Sequence, residues 1–312
     1  MNVRAWGDVL KDAAGGWMED RAPRMAGALA LYTILSAAPL LVIVLAIGGL
    51  IFRHADLQGQ IVEQMRTLVG DQGADSLRTM MASASGPGTG WAMAIGIIVL
   101  LVGASGVFAE LQDALNTIWG VRPKPGRGLW VMIRDRFLSL TMVFGVGFLL
   151  LVTLVISTVL AALTRFAGLE GVGGVGEVVN FIVSVVVVTL LFAMMYKWLP
   201  DVQISWRDVW VGAAATALLF AVGKLLIGLY LGHAGVGSSY GAAGSLVVFV
   251  VWVYYSGQIL YFGAEFTKAY ANRLGSRIQP SENAEPMTAE ARAQQGMAPH
   301  PSVPGAARSG AA

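Results

Sequence analysis

The chain contains no cysteine, which excludes disulfides, thiolate metal sites and thiol nucleophiles. Charge is also scarce. Asp, Glu, Lys and Arg together make up 13% of the 312 residues, and the net charge is only +2. So small an excess gives no ground for nucleic-acid binding. Three histidines are present, His54, His233 and His300, far apart in sequence. They form no cluster of the kind that holds hydrolytic metal ions or supplies an acid–base pair. The sequence therefore predicts a protein that is not an enzyme, with no metal and no cofactor.

What the chain has is apolar length. Hydrophobic residues reach 56%, above the usual share for a soluble domain. Residues 25–52, 91–109, 137–164, 178–196, 209–232 and 244–264 are apolar runs broken only by Lys224. A hydrocarbon core about 30 Å thick needs roughly 20 helical residues to cross it. The predicted fold is therefore all-α, a polytopic transmembrane bundle of six spans. With their flanks, the spans fall at about 25–52, 91–119, 137–164, 178–199, 209–232 and 244–272.

The segment before the first run holds Asp8, Asp12, Glu19 and Asp20 beside Arg4, Lys11, Arg21 and Arg24, unlike a short basic secretory leader. Within residues 1–24, Trp6, Val9, Leu10, Ala13 and Trp17 recur near helical spacing. This suits a helix lying in the membrane interface on its aromatic side; a plain cytosolic lead-in is the alternative. From residue 276 to 312 the chain turns to Pro, Ala, Ser, Gln and Gly without period, and a disordered cytoplasmic tail is expected.

Sidedness follows from the loop charges. Arg4, Lys11, Arg21 and Arg24 precede the first span, and Arg122, Lys124, Arg127, Arg134 and Arg136 follow the second. Lys197 and Arg207 lie between the fourth and fifth, and Lys268, Arg273 and Arg277 come at the end of the sixth. The opposite connections hold only Arg53, Arg66, Arg78 and Arg165. This positive-inside bias predicts both termini in the cytoplasm and an external 53–90 loop. Leu57, Ile61, Met65 and Leu68 give that loop an amphipathic helical pattern.

Several positions inside the spans carry more than apolar bulk. Pro39 frees the carbonyl of Leu35, with Ser36 near enough to compensate, so a kink is expected in the first span. Helix two places Gly103, Gly106, Glu110, Asp113 and Thr117 on one face, and helix six does the same with Tyr254, Gln258, Tyr261, Glu265 and Lys268. At 1.5 Å per residue, Glu110 lies roughly 28 Å along its helix from Trp91 and Glu265 about 30 Å from Ser245. Both acids thus sit near the inner boundary. Two readings stand: interfacial carboxylates paired with Lys268 and a loop arginine, or a cytoplasm-facing substrate or proton site. Lys224, about 22 Å into helix five, either snorkels outward or binds an anionic group. The glycine- and serine-rich connection 232–245 reads as an external hairpin or a re-entrant turn with its amides toward an anion.

Three stretches carry a resemblance. They are Asp20-Arg21-Ala22 with Ala28 to Ser36 and Pro39-Leu40-Leu41; Phe108 to Asn116 with Ile118-Trp119; and Ser239 to Ser245 with Trp252 to Ser256 and Gly263-Ala264-Glu265. In order and spacing they resemble the YihY/BrkB family of bacterial inner-membrane proteins. The resemblance implies six spans in the inner membrane and an association with envelope integrity. It also carries the label ribonuclease BN, which the scattered histidines do not support. Two functions from different classes follow. One is transport or translocation of a lipid, envelope component or ion along Glu110, Asp113, Gln258, Tyr261, Glu265 and Lys224. The other is a membrane scaffold, with Arg122, Lys124, Arg127, Arg134 and Arg136 on anionic lipid or on envelope proteins.

Overall fold

In a computed structural model of the chain, residues 3–35, 75, 78, 106–124, 175–233 and 244–297 are described. The sequence expectations for Ser36, Pro39, Arg127, Arg134, Arg136, the span 137–164 and nearly all of the 53–90 loop lie outside them. Seven helices and four short strands occur among the described residues. They are α1 (Val3–Glu19), α2 (22–35), α3 (106–119), β1 (Val121–Pro123), α4 (Val175–Trp198), β2 (Val202–Gln203), α5 (Trp206–His233), α6 (Gly244–Arg273), β3 (Gln279–Pro280), β4 (Ala284–Pro286) and α7 (Ala289–Gln294). Within α4, α5 and α6, the stretches Phe181–Trp198, Trp206–Tyr230 and Leu246–Arg273 are long and apolar enough to cross a membrane. Their outward faces carry exposed Phe181, Ile182, Val186, Leu218, Val222 and Leu229, side chains that a lipid environment accommodates and water does not.

Helices α4, α5 and α6 pack side by side, and small residues permit the close approach. A Cβ on Gly212 would overlap Thr267, and one on Gly263 would overlap Thr216. Each glycine thus faces a threonine across the antiparallel α5–α6 contact. Both threonines turn their hydroxyls back onto their own helix. Thr216 donates to the Gly212 carbonyl at 2.7 Å and Thr267 to that of Gly263 at 2.6 Å, so no polar atom is stranded. The fully buried Tyr196 of α4 completes the contact by donating to the Leu260 carbonyl at 2.7 Å. Gly257 of α6 admits Ala26 and Leu29 of α2, and Gly106 of α3 admits the ring of Tyr32.

The remaining elements gather where α3, α4 and α6 end and α5 begins. Gly120, with φ +70°, stops α3 and turns the chain into β1. β1 pairs antiparallel with β4, setting Arg122 opposite Glu285, and β2 pairs with β3, setting Val202 opposite Pro280. Here the structure departs from the expected disordered tail. Residues 276–297 fold back across this end of the bundle, contributing β3, β4 and α7. Backbone pairing and a few charged contacts hold them, and neither leaves a hydrophobic period in the sequence.

The N-terminal segment forms a helix that packs on protein. α1 lies on α6, burying Val9 and Ala13 against Phe266, Ala269 and Tyr270. The Trp6 ring stacks on Phe266 and Tyr270 at 6.2 and 5.7 Å. Its aromatic side faces protein, and Arg273 of α6 pairs with Asp8 and Asp12 on the same helix.

Candidate functional site

The polar stripe on α6 divides into two parts. At its lower end, Lys268 donates to Glu265 Oε2 at 3.2 Å and to Asp20 Oδ2 at 3.3 Å. Asp20 sits in the turn between α1 and α2, where Arg21 takes a left-handed φ of 53°. Its other oxygen accepts from Nη2 of Arg292, carried in on α7. Asp20, Glu265 and Arg292 are each 2% exposed or less. Two carboxyls and two cations from three chain segments thus share one site that solvent barely reaches. Buried charges survive only when paired and hydrogen-bonded, and each of these four groups supplies what another lacks. Gly16 of α1 makes the room, because a Cβ there would overlap the Glu265 carboxylate. Burial alone would raise the Asp20 carboxyl. The Lys268 ammonium, a hydrogen bond with Glu265 and the Arg292 guanidinium outweigh it and hold the group below its ordinary value.

One to two turns further along α6 the partners run out. The Tyr261 hydroxyl and Gln258 Oε1 are buried without a hydrogen-bond partner among the described residues, as is Glu265 Oε1. Tyr261 is fully buried. Glu110 and Asp113 of α3 lie close enough for their charges to act on its hydroxyl, Glu110 half-buried and Asp113 exposed. Of the sequence-derived residues, Tyr261 of α6 thus lies near Glu110 and Asp113 of α3, and Gln258 stands one turn along the same face of α6. Glu265 belongs to the ion network. Lys224 stands apart, half-buried on α5.

Arg122 and Lys124 each make a contact within the molecule, while Lys124 stays exposed. Arg122 pairs with Glu285 at 2.8 Å, and Lys124 donates to the Glu282 carbonyl at 2.8 Å. Their charge is spent on the C-terminal segment. Two further anchors were not foreseen from the sequence. Asp208, buried in the first turn of α5, accepts from the backbone N–H and hydroxyl of Ser276 at 2.9 and 2.7 Å. Asn116 of α3 exchanges two hydrogen bonds with Asp201, at 3.1 and 2.7 Å. Asp20 carried one signal, its place in the Asp20-Arg21-Ala22 stretch. Arg292 carried only the helix start at Thr288 with Glu290 in the first turn.

The family described as Virulence factor BrkB matches residues 13–288, which takes in every element from α2 to β4. Among curated relatives, the chain is similar to a UPF0761 membrane protein of Tolumonas auensis, 29% identical over 259 residues, covering 80% of each chain. A UPF0761 membrane protein of Pseudomonas aeruginosa is 27% identical over 252 residues, covering 80% of this chain. One from Albidiferax ferrireducens is 28% identical over 279 residues, covering 88% of this chain and 64% of its own. The chain spans 59% of the length of the Pseudomonas relative. No solved structure matches. With the match running from the middle of α1 to the start of the α7 segment, the chain belongs to the BrkB family of membrane proteins.

Proposed function

We propose that this protein crosses the bacterial inner membrane six times, with both termini in the cytoplasm, and moves a lipid, envelope component or ion along the face shared by α3 and α6. It does so without acting as an enzyme. The observation that carries this reading is the pair of buried oxygens at Gln258 and Tyr261, which have no partner among the described residues, with the Tyr261 hydroxyl within electrostatic reach of Glu110 and Asp113. An unpartnered buried polar group costs about 1–3 kcal/mol. A chain that needed only stability would place apolar side chains there. A polar lining that meets its partner only when something passes fits the arrangement, as polar groups inside spans mark pathways. The names of the relatives, all membrane proteins, are consistent with it. The scaffold reading is weaker, because Arg122 and Lys124 are engaged within the molecule.

The test is reconstitution into vesicles with two probes, fluorescent phosphatidylglycerol for lipid translocation and a pH-sensitive dye for proton movement. Wild type is expected to move at least one of them. Glu110→Gln and Tyr261→Phe are expected to abolish that movement while the thermal midpoint stays within a few degrees. Movement no faster than in empty vesicles for both probes would contradict transport of lipid and of protons.

A further inference from the structure

A second polar place lies away from the α3–α6 face, at the turn joining α4 to α5. A cavity of about 480 Å³ opens there, lined by Lys197, Gln203, Ser205, Ser276, Arg277 and Gln279 among others. That volume falls within the roughly 300–1,000 Å³ common to small-ligand sites, and two of the six named side chains are cations. Lys197 spends one donor on the Ile204 carbonyl, at 2.5 Å, and its ammonium lies 5.6 Å from the centre of the Trp206 ring. Arg277 is exposed and makes no ion pair among the described residues. Asp208 lies behind Ser276, but it already accepts two hydrogen bonds from that residue. Neutral donors leave the Asp208 charge in place, and two cations against that one carboxylate make the opening net positive.

Beside the cavity stands a group of three tryptophans, Trp198, Trp206 and Trp210, exposed by 56, 43 and 43%. Trp206 meets the other two rings at 5.7 and 6.5 Å. Exposed tryptophans at the ends of apolar helices mark the level of lipid headgroups. From them an exposed face continues along α5 through Leu218, Val222, Leu225 and Leu229, following Trp206 and Trp210 at steps of three, four or eight residues. Trp210 to Leu229 covers roughly 28 Å at 1.5 Å per residue, close to the thickness of a hydrocarbon core.

We infer that the α4–α5 turn is a binding site for an anionic phospholipid, with the headgroup phosphate between Lys197 and Arg277 and the acyl chains along the exposed face of α5. The headgroup hydroxyls meet Gln203, Ser205 and Gln279. Tryptophan rings and an apolar track beside the cavity favour a lipid over a free phosphate. With the amino terminus inside, the site belongs to the cytoplasmic leaflet. It stands whether or not the protein transports anything.

Native mass spectrometry in mild detergent tests it, with phosphatidylglycerol, phosphatidylcholine and inorganic phosphate titrated in turn. Wild type is expected to retain phosphatidylglycerol in preference to phosphatidylcholine and to bind phosphate far more weakly. Arg277→Gln is expected to weaken phosphatidylglycerol about fivefold, the loss of one headgroup-facing cation. Arg122→Gln is expected to leave it unchanged. Lys197→Gln also removes the bond to Ile204, so Arg277→Gln decides the matter. Undiminished phosphatidylglycerol binding in that variant would overturn the site, and equal retention of phosphatidylcholine would overturn its charge preference. Phosphate binding as tight as the lipid's would make it a free-anion site and overturn the lipid assignment.

Discussion

Two neighbouring parts of one helix treat polar side chains in opposite ways. At Glu265 and Lys268, α6 meets Asp20 and Arg292, and the four groups are joined by ion pairs at a point almost closed to solvent. At Gln258 and Tyr261, equally polar atoms are enclosed with no partner among the described residues. The first arrangement ties three chain segments together and serves the fold. The second leaves buried polar atoms without a partner among the described residues, the feature on which the proposed pathway rests. Charge at membrane depth does not by itself identify a site. What distinguishes the two places is that every charged group in the first has an ion-pair partner, Glu265 through its Oε2, while Gln258 Oε1 and the Tyr261 hydroxyl have none among the described residues.

The comparison yields expectations that differ in size. Arg292→Ala leaves Asp20 short of a partner in a buried site, and removing one member of a buried pair costs about 3–5 kcal/mol. Thermal unfolding in detergent should show this as the largest loss among the single variants considered. Gly212→Ala drives a methyl into Thr267, a β-branched residue with little freedom to move. About 1–3 kcal/mol is expected from such overpacking. Gly16→Ala meets the end of the flexible Glu265 side chain and should cost less. A gap between the two glycine variants would separate rigid helix packing from the adaptable ion site.

Acid gives a subtler handle on the paired end. Asp20 is held below its ordinary value of 3.8 by Lys268, Glu265 and Arg292 in spite of burial. A carboxyl depressed in the folded state contributes stability that is fully present above its unfolded value. That contribution is lost as pH falls through the folded one. Stability arising from Asp20 should therefore be flat near neutrality and decline only below about pH 4. In Asp20→Asn the decline should flatten, measured as the thermal midpoint against pH. An Asp20→Asn profile parallel to wild type would mean the acid loss comes from other groups.

Hydropathy located the apolar helices closely. The spans expected at 178–199, 209–232 and 244–272 coincide with α4 (Val175–Trp198), α5 (Trp206–His233) and α6 (Gly244–Arg273) within a few residues, because a span has one requirement, length without charge. The stripe on α6 was legible for the same reason, since its spacing alone puts Gln258, Tyr261 and Glu265 on one face. The C-terminal segment was not legible. Its hold depends on β1–β4 and β2–β3 backbone pairing, on the Arg292 contact with Asp20 and on Asp208 receiving Ser276. None of these repeats in sequence, and all four join residues more than sixty positions apart. The basic loops show the same limit. Arg122 and Lys124 look like Lys197 and Arg277 when only charge is counted. The fold joins the first pair to the C-terminal segment and leaves the second beside exposed tryptophans.

The most direct test compares Tyr261→Phe with Arg292→Ala by thermal unfolding in one detergent, without reference to any substrate. Replacing an unpartnered buried hydroxyl by hydrogen should leave stability unchanged or raise it by up to about 1–3 kcal/mol. Arg292→Ala should lower it sharply. That opposition is what a structural ion network beside a functional polar lining predicts. A Tyr261→Phe protein as destabilised as Arg292→Ala would show that the hydroxyl has a structural partner, and the division of α6 into a paired and an unpaired part would fail.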